Sequence, residues 1–377
     1  MNNTCRARLR RLSVTCSILT ACIVIARPTH RVYAMDVNEL QTRASKGYVA
    51  EQLELGEAYL MGKGLPKSDK DAEYWYEKAA NSGNAEAANL VGYMYQAGVG
   101  VPANPERAVR WFELSAASGC SNALINLGVM HMVGLGVTKD TARAAEYFRR
   151  GLGHGNGTGA AYLGTMAYFG IGMKPDSNAA EVWFKAGQKL HDPISTYDLG
   201  VLYSTAPDHL NDLGKAARYL RQAADANFAP AMQSLGTLLV RHPELSRHRD
   251  EAVRLLQAAA DAGSWQASFA LGVMAHNGSG MAADDQTAYF HLRVAVLQGG
   301  TPAQALANKH IPAVIQSLSE EQARAVEERA LAWVQQRSRA PTLVQTKGQS
   351  PRFFADPAMQ GSGGVLSAAL PMEDPAS

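Results

Sequence analysis

Seven glycines stand thirty-six residues apart in this chain: Gly56, Gly92, Gly128, Gly164, Gly200, Gly236 and Gly272. Each follows leucine, or valine at Val91. A second register runs Ala72, Ala108, Ala144, Ala180, Ala216, Ala252, Ala288, again without insertion or deletion. Three residues on come Trp75, Trp111, Tyr147, Trp183, Tyr219, Leu255 and His291, and then Tyr76, Phe112, Phe148, Phe184, Leu220, Leu256 and Leu292. A period of this length marks a supersecondary unit that cannot bury its apolar face alone and must stack on copies of itself. That restricts the chain to a linear array.

Each unit reads as two helices. In the second, Ala87, Val91, Met94 and Tyr95 share one face at helical spacing. Gly98-Val99-Gly100-Val101-Pro102 then turns the chain, and Ala108, Trp111, Phe112 and Ala116 line the next helix up to Gly119. A glycine inside a helix is worse than alanine by about 1 kcal/mol. Its recurrence in one column predicts a compensating neighbour too close for a Cβ, and the aromatic pair of the same unit is the candidate. The expected fold is all-α, a right-handed superhelical α/α solenoid of seven helix-turn-helix repeats over 47–298. A capping helix over 35–46 precedes it and a capping region over 299–338 follows. In the latter, Ser319-Glu320-Glu321-Gln322 has the capping-box pattern. Over 339–377 Pro, Gly and Ser gather without apolar period, as in a disordered tail.

The first 34 residues differ from the rest. Arg6, Arg8, Arg10 and Arg11 precede an uncharged run from Leu12 to Ala26, short for a membrane span, and Val32-Tyr33-Ala34 suits cleavage of a secretory signal peptide. Leu19-Thr20-Ala21-Cys22 also has the form of a lipoprotein leader ending at 21, with Cys22 lipidated. Either reading makes the product exported, periplasmic or secreted. Three of the four cysteines lie in this leader, so Cys120 stands alone in the body. The net charge of +2, with both signs scattered, provides no basic field for nucleic acid.

The units resemble the Sel-one-like repeat, a branch of the tetratricopeptide superfamily. The resemblance rests on L-G-x-x-Y (Leu55-Gly56-Glu57-Ala58-Tyr59, Leu199-Gly200-Val201-Leu202-Tyr203), on the G-x-G-V turn and on Ala72-Glu73-Tyr74-Trp75-Tyr76-Glu77-Lys78-Ala79-Ala80. It implies an adaptor that binds a protein or peptide partner. It also carries two alternatives: a hydrolase acting on cell wall or β-lactam compounds, and an envelope regulator acting on a membrane sensor. Units five and six depart from the pattern, with Ala206-Pro207-Asp208 and His242-Pro243-Glu244 where the others have glycine turns.

No H-E-x-x-H, C-x-x-C, G-x-S-x-G or S-x-x-K occurs, so no catalytic, cofactor or metal site is expected. His131 and His291 stand in aromatic columns and read as packed rings. Partner binding is expected on the first helices, facing the concave surface, at positions that vary from unit to unit while the core columns hold. These positions include Tyr93, Asn126, Tyr162, Tyr168 and Asp198. The tyrosines offer rigid rings with a polar tip, and Asn126 can bond a peptide backbone.

Gly151-Leu152-Gly153-His154-Gly155-Asn156-Gly157-Thr158-Gly159-Ala160 contains the letters of a dinucleotide loop. A helix precedes it where that fold requires a strand, and Gly155 falls in the column of Gly83. The run therefore joins units three and four, and its extra glycines predict a hinge.

Overall fold

The computed structural model describes residues 36–205, 211–248 and 250–338. The leader with Cys22, the Ala206-Pro207-Asp208 turn and the tail lie outside these residues. Among them there is no strand, and they form seventeen α-helices and one short 3-10 turn. It divides into two compact units at Ser82/Gly83.

The first unit holds α1 (Val37–Ser45), α2 (Val49–Met61) and α3 (Asp69–Asn81). Asp36 caps α1 by accepting the Asn38 N–H, and Leu40 and Ala44 bury one face of it beside Leu55. Gln52, itself buried, donates to the Ala44 carbonyl and so ties the single helix to the hairpin of α2 and α3.

The second unit is a stack of hairpins. In chain order they are α4 (Ala85–Ala97) with α5 (Pro105–Ala117), α6 (Ser121–Val133) with α7 (Thr141–Gly153), and α8 (Thr158–Phe169) with α9 (Ser177–Lys189). Then come α10 (Pro193–Thr205) with α11 (Leu213–Asp225), α12 (Ala229–Arg241) with α13 (Glu251–Asp261), and α14 (Trp265–Asn277) with α15 (Asp285–Ala307). The second helix of each hairpin packs on the first helix of the next. Most second helices begin in the same way: Asn104, Asp140, Asp176 and Asp212 each accept a backbone N–H three residues on.

The glycine column has the reason its position implied. A Cβ on Gly128 would lie 2.4 Å from the Phe148 ring, and one on Gly164 would lie 2.4 Å from Phe184. Where leucine replaces the ring the approach is nearly as close, 2.6 Å at Gly200 and 2.7 Å at Gly236 and Gly272. Phe112, Phe148 and Phe184 are fully buried as a result. Each hairpin is thus closed by a side chain of its second helix pressed onto bare backbone of its first.

The glycine-rich joint is not open space. A Cβ on Gly151 would meet Ile125 at 2.7 Å, one on Gly157 would meet Asp192 at 2.4 Å, and one on Gly159 would meet the Phe148 carbonyl oxygen at 2.4 Å. Side chains knit it as well. Asn156 is buried and donates to Asn122 at 2.9 Å, while Thr158 Oγ1 donates to the buried Asp192 at 3.1 Å. In place of the expected looseness, these glycines serve close approach of helices; only Gly153 and Gly155 have room around them.

Unit six shows what replaces a glycine turn. Pro243–Leu245 forms a 3-10 turn, and Arg221 of α11 bridges it. Arg221 Nε donates to Glu251 Oε1 at 2.8 Å and Nη2 donates to the Leu245 carbonyl at 3.2 Å. Glu251 also accepts the Arg247 N–H at 2.5 Å. Burial pushes the Glu251 carboxyl up, but the Arg221 and Arg247 hydrogen bonds outweigh it and hold the group below its ordinary range.

The array ends on α15, which kinks at Gly300 (φ 60°, ψ −138°) before Pro302, on α16 (Ile311–Ile315) and on α17 (Glu320–Ser338). At the start of α17, Gln322 N–H donates to Ser319 Oγ and Ser319 N–H donates to Gln322 Oε1, a reciprocal capping box. Val326 and Ala330 of α17 are buried, and Tyr289 of α15 donates to Glu327 at 2.7 Å. His291 is buried beneath this cap; burial, with the Arg329 charge adding to it, pulls its pKa down to about 4.

Two measurements follow from this packing. Gly128→Ala should lower the denaturant midpoint although alanine is the better helix former, by about 1–2 kcal/mol, because overpacking outweighs propensity. Gly153→Ala, at an open helical position, should raise it by about 0.5–1 kcal/mol. Above pH 6.5 His291 is neutral folded and unfolded. Between pH 6.5 and 4 only the unfolded chain takes the proton, so stability falls with acid. The loss from His291 between pH 7 and 5 is about 2 kcal/mol. Urea midpoints at the two pH values should converge in His291→Leu relative to the parent protein.

Candidate functional site

The first helices differ sharply in what they leave open. On α4 and α6 of the second unit, Tyr93, Gln96, Asn126, Val129 and Met132 are half-buried. On α8 every residue from Thr158 to Ala167 is buried, and on α10 every residue from Ile194 to Tyr203. α8 and α10 contact each other directly, in addition to the contacts each makes with second helices.

The five expected positions therefore separate. Tyr162 is 3% exposed and stacks on Phe148, with ring centroids 4.6 Å apart and planes 5° off parallel. Asp198 is wholly buried in α10. Neither presents its side chain to solvent; in the folded chain both are core residues. Tyr168 is half-buried near the end of α8 and meets Phe169 edge to face at 5.0 Å. Tyr93 and Asn126 remain reachable, and burial raises the Tyr93 pKa.

Asn126 brings in a residue the column reading passed over. Its Nδ2 donates to Oδ1 of Asn89 on α4 at 2.9 Å, and Asn89 is 5% exposed. The signal was available in sequence. The Asn89 column holds Leu53, Ile125, Ala161, Tyr197 and Phe269 elsewhere, with Gln233 the other amide, so a short amide there departs from a mostly apolar series. Amide orientation is interchangeable within such a pair. The bond fixes the orientation of Asn126, whose half-buried amide can still meet a peptide main chain, while Asn89 lies buried beneath it.

Elsewhere the polar groups are structural. His131 is buried and stacked on Tyr147 at 5.5 Å, as a ring substituting for tyrosine. Over α7 lies an open depression of about 550 Å³ among Arg143, Glu146, Tyr147 and Arg150, with charges of both signs on its rim. Among the described residues no three His, Cys, Asp or Glu side chains gather to hold a metal ion, and no helix is long and apolar enough to cross a membrane. Cys120 stands at the start of α6 as a free, half-buried thiol.

Repeated helical hairpins of one length, closed by a glycine against a ring or leucine, define a helical-repeat protein. The family model described as Sel1 repeat matches seven segments: residues 52–84, 85–120, 121–156, 158–187, 193–228, 243–264 and 265–300. The chain belongs to the Sel1 repeat family, whose members generally act as protein-interaction scaffolds and whose fold is typically non-catalytic. Among solved structures it is similar to a Sel1 repeat protein from Oxalobacter formigenes, at 28% identity and a TM-score of 0.52 over 61% of this chain and 92% of that one. It is also similar to a protective antigen present in uropathogenic Escherichia coli strains and displaying an SLR fold. That match has 23% identity and a TM-score of 0.41, over 83% and 76% of the two chains. An immunity protein from Pseudomonas aeruginosa matches at 19% identity and a TM-score of 0.43, over 58% and 83%. No curated protein matches the sequence.

The split between open and buried tyrosines is measurable. Tyr162→Ala should lower stability by about 3–5 kcal/mol, as removal of a buried ring does. Tyr93→Ala, at a half-buried position, should lower it by less than about 2 kcal/mol. Equal losses in chemical denaturation would remove the distinction.

Proposed function

We propose that this protein is an exported, non-catalytic scaffold that binds a protein or peptide partner on the first helices of repeats two and three. The observation that carries this reading is the Asn89–Asn126 amide pair on α4 and α6, bordered by half-buried Tyr93, Gln96, Val129 and Met132. Asn126, the half-buried member of the pair, supplies an amide for a partner's main chain, and the buried Asn89 orients it. The tyrosine supplies a ring that loses little entropy on contact. Tyr168 extends the same surface toward repeat four. Tyr162 and Asp198 act from behind it, by holding α8 and α10 in place. Export is supported by the basic start and apolar run before residue 27.

The test is capture of partners from the native host by the full chain, compared with Tyr93→Ala/Asn126→Ala. The double variant should keep its helical circular dichroism and lose at least one partner. A folded variant that retains every partner would show that the surface lies elsewhere.

A further inference from the structure

The second unit separates its charges by helix. Its six first helices, α4, α6, α8, α10, α12 and α14, carry Glu86, Asp198 and Arg241 and no other Asp, Glu, Lys or Arg. Asp198 is wholly buried, and Arg241 is the last residue of α12. Glu86 lies in the first turn of α4, about 10 Å of helix before Tyr93. The second helices are dense in charge by comparison. α7 has Arg143, Glu146, Arg149 and Arg150, and α11 has Lys215, Arg218, Arg221 and Asp225.

The repeat does not impose this neutrality. In the first unit, α2 carries Glu51, Glu54 and Glu57. Glu54 stands in the column of Leu90 and Asn126, and Glu57 in that of Tyr93 and Val129. Both columns therefore accept a carboxylate, and the second unit has none at their open positions. Burial, and then the charges of Glu51 and Glu57, push the Glu54 carboxyl up. A half-buried charge in this column is resisted even before a partner covers it.

The turns keep their charges with the second helices. Lys139 and Lys174 stand just before Asp140 and Asp176, which cap α7 and α9. Each of these turns is seated on the hairpin before it. A Cβ on Gly136 would lie 2.5 Å from the Pro105 carbonyl group at the start of α5, and one on Gly172 would lie 2.7 Å from Thr141 Oγ1 at the start of α7. What remains open on α4, α6 and α8 is Tyr93, Gln96, Asn126, Val129, Met132 and Tyr168, all half-buried and none charged.

We propose that the partner segment taken by this surface is uncharged: about six residues of extended chain with apolar or neutral polar side chains, bonded along the main chain by Asn126 and Gln96. This rests on the binding role proposed for Tyr93 and Asn126. From α4 to α8 is two helix spacings, about 20 Å, which about six extended residues span. The two rings, Val129 and Met132 receive aliphatic or aromatic side chains. An Asp, Glu, Lys or Arg in the segment would lose water and meet no opposite charge, whereas the amides satisfy neutral polar groups. Recognition without ion pairs is also indifferent to salt.

Selection from a display library of random octapeptides on the immobilised full chain tests this, with Tyr93→Ala/Asn126→Ala as the reference bait. Peptides that bind the parent protein and not the double variant should be depleted of Asp, Glu, Lys and Arg by about fivefold or more against the library. The affinity of a synthetic copy with blocked ends should change by less than about twofold between about 0.05 and 0.5 M salt. Asn126→Asp keeps the size of the side chain and places a carboxylate where α2 has Glu54. With circular dichroism unchanged, it should weaken that peptide by about tenfold or more and enrich Lys or Arg in a repeated selection. Charged peptides that depend on Tyr93 and Asn126 overturn the inference and leave the binding surface standing. So do an affinity that falls about tenfold with salt and an Asn126→Asp protein that binds the peptide unchanged. A selection that yields no peptide dependent on Tyr93 and Asn126 overturns it too; whether the surface binds at all is read from partner capture by the same double variant.

Discussion

The contact on which the rest depends is that of a bare glycine backbone with the side chain opposite it. In every hairpin the glycine of the first helix lies under a ring or leucine of the second. Two helices joined at so short a distance have little freedom to slide, so each hairpin has one register. Because the hairpins are nearly identical in length, the same surfaces recur and the next unit finds the same seat. The ring at Phe112, Phe148 or Phe184 is excluded from water by this contact rather than by a distant part of the chain. Burial is therefore local and repeated, as a linear array requires.

Much of this was legible in sequence because it is periodic. The glycine column, its partner side chain and the capping box at Ser319 each follow from spacing and residue type. The accessible surface was less legible. Variation between units identified Tyr162 and Asp198 as candidates, but variation in a column does not report how close neighbouring first helices lie. Both are buried, Tyr162 against Phe148 and Asp198 within α10, and α8 and α10 touch each other directly. Asn89 was missed for the opposite reason. It sits in a mostly apolar column that variation between units did not single out, although its amide is what Asn126 bonds. The glycine-rich joint misled through composition: glycine permits freedom, but it also permits contact, and neighbouring side chains at Ile125 and Asp192 decide between the two.

Unit six shows how far the pattern can be relaxed. With the glycine turn replaced by Pro243–Leu245, the hairpin is held instead by the Arg221–Glu251 pair, in which both side chains are nearly buried. Breaking such a pair leaves a charge without its partner, so the substitute is rigid where it forms. The family model correspondingly matches only 243–264 in this unit, while neighbouring units match over most of their length. A unit can lose its sequence signature and keep its place in the stack.

The docking of each turn on the hairpin before it gives the array a direction. Gly136 rests on the start of α5 and Gly172 on the start of α7, never on the hairpin that follows. A chain emerging from its N-terminus offers each new turn a finished seat. Shortening the stack from its far end leaves every remaining turn seated, whereas shortening it from the near end strands the first turn it exposes. The two ends of the stack are therefore not equivalent as points of growth or loss, although the units between them are nearly copies of one another.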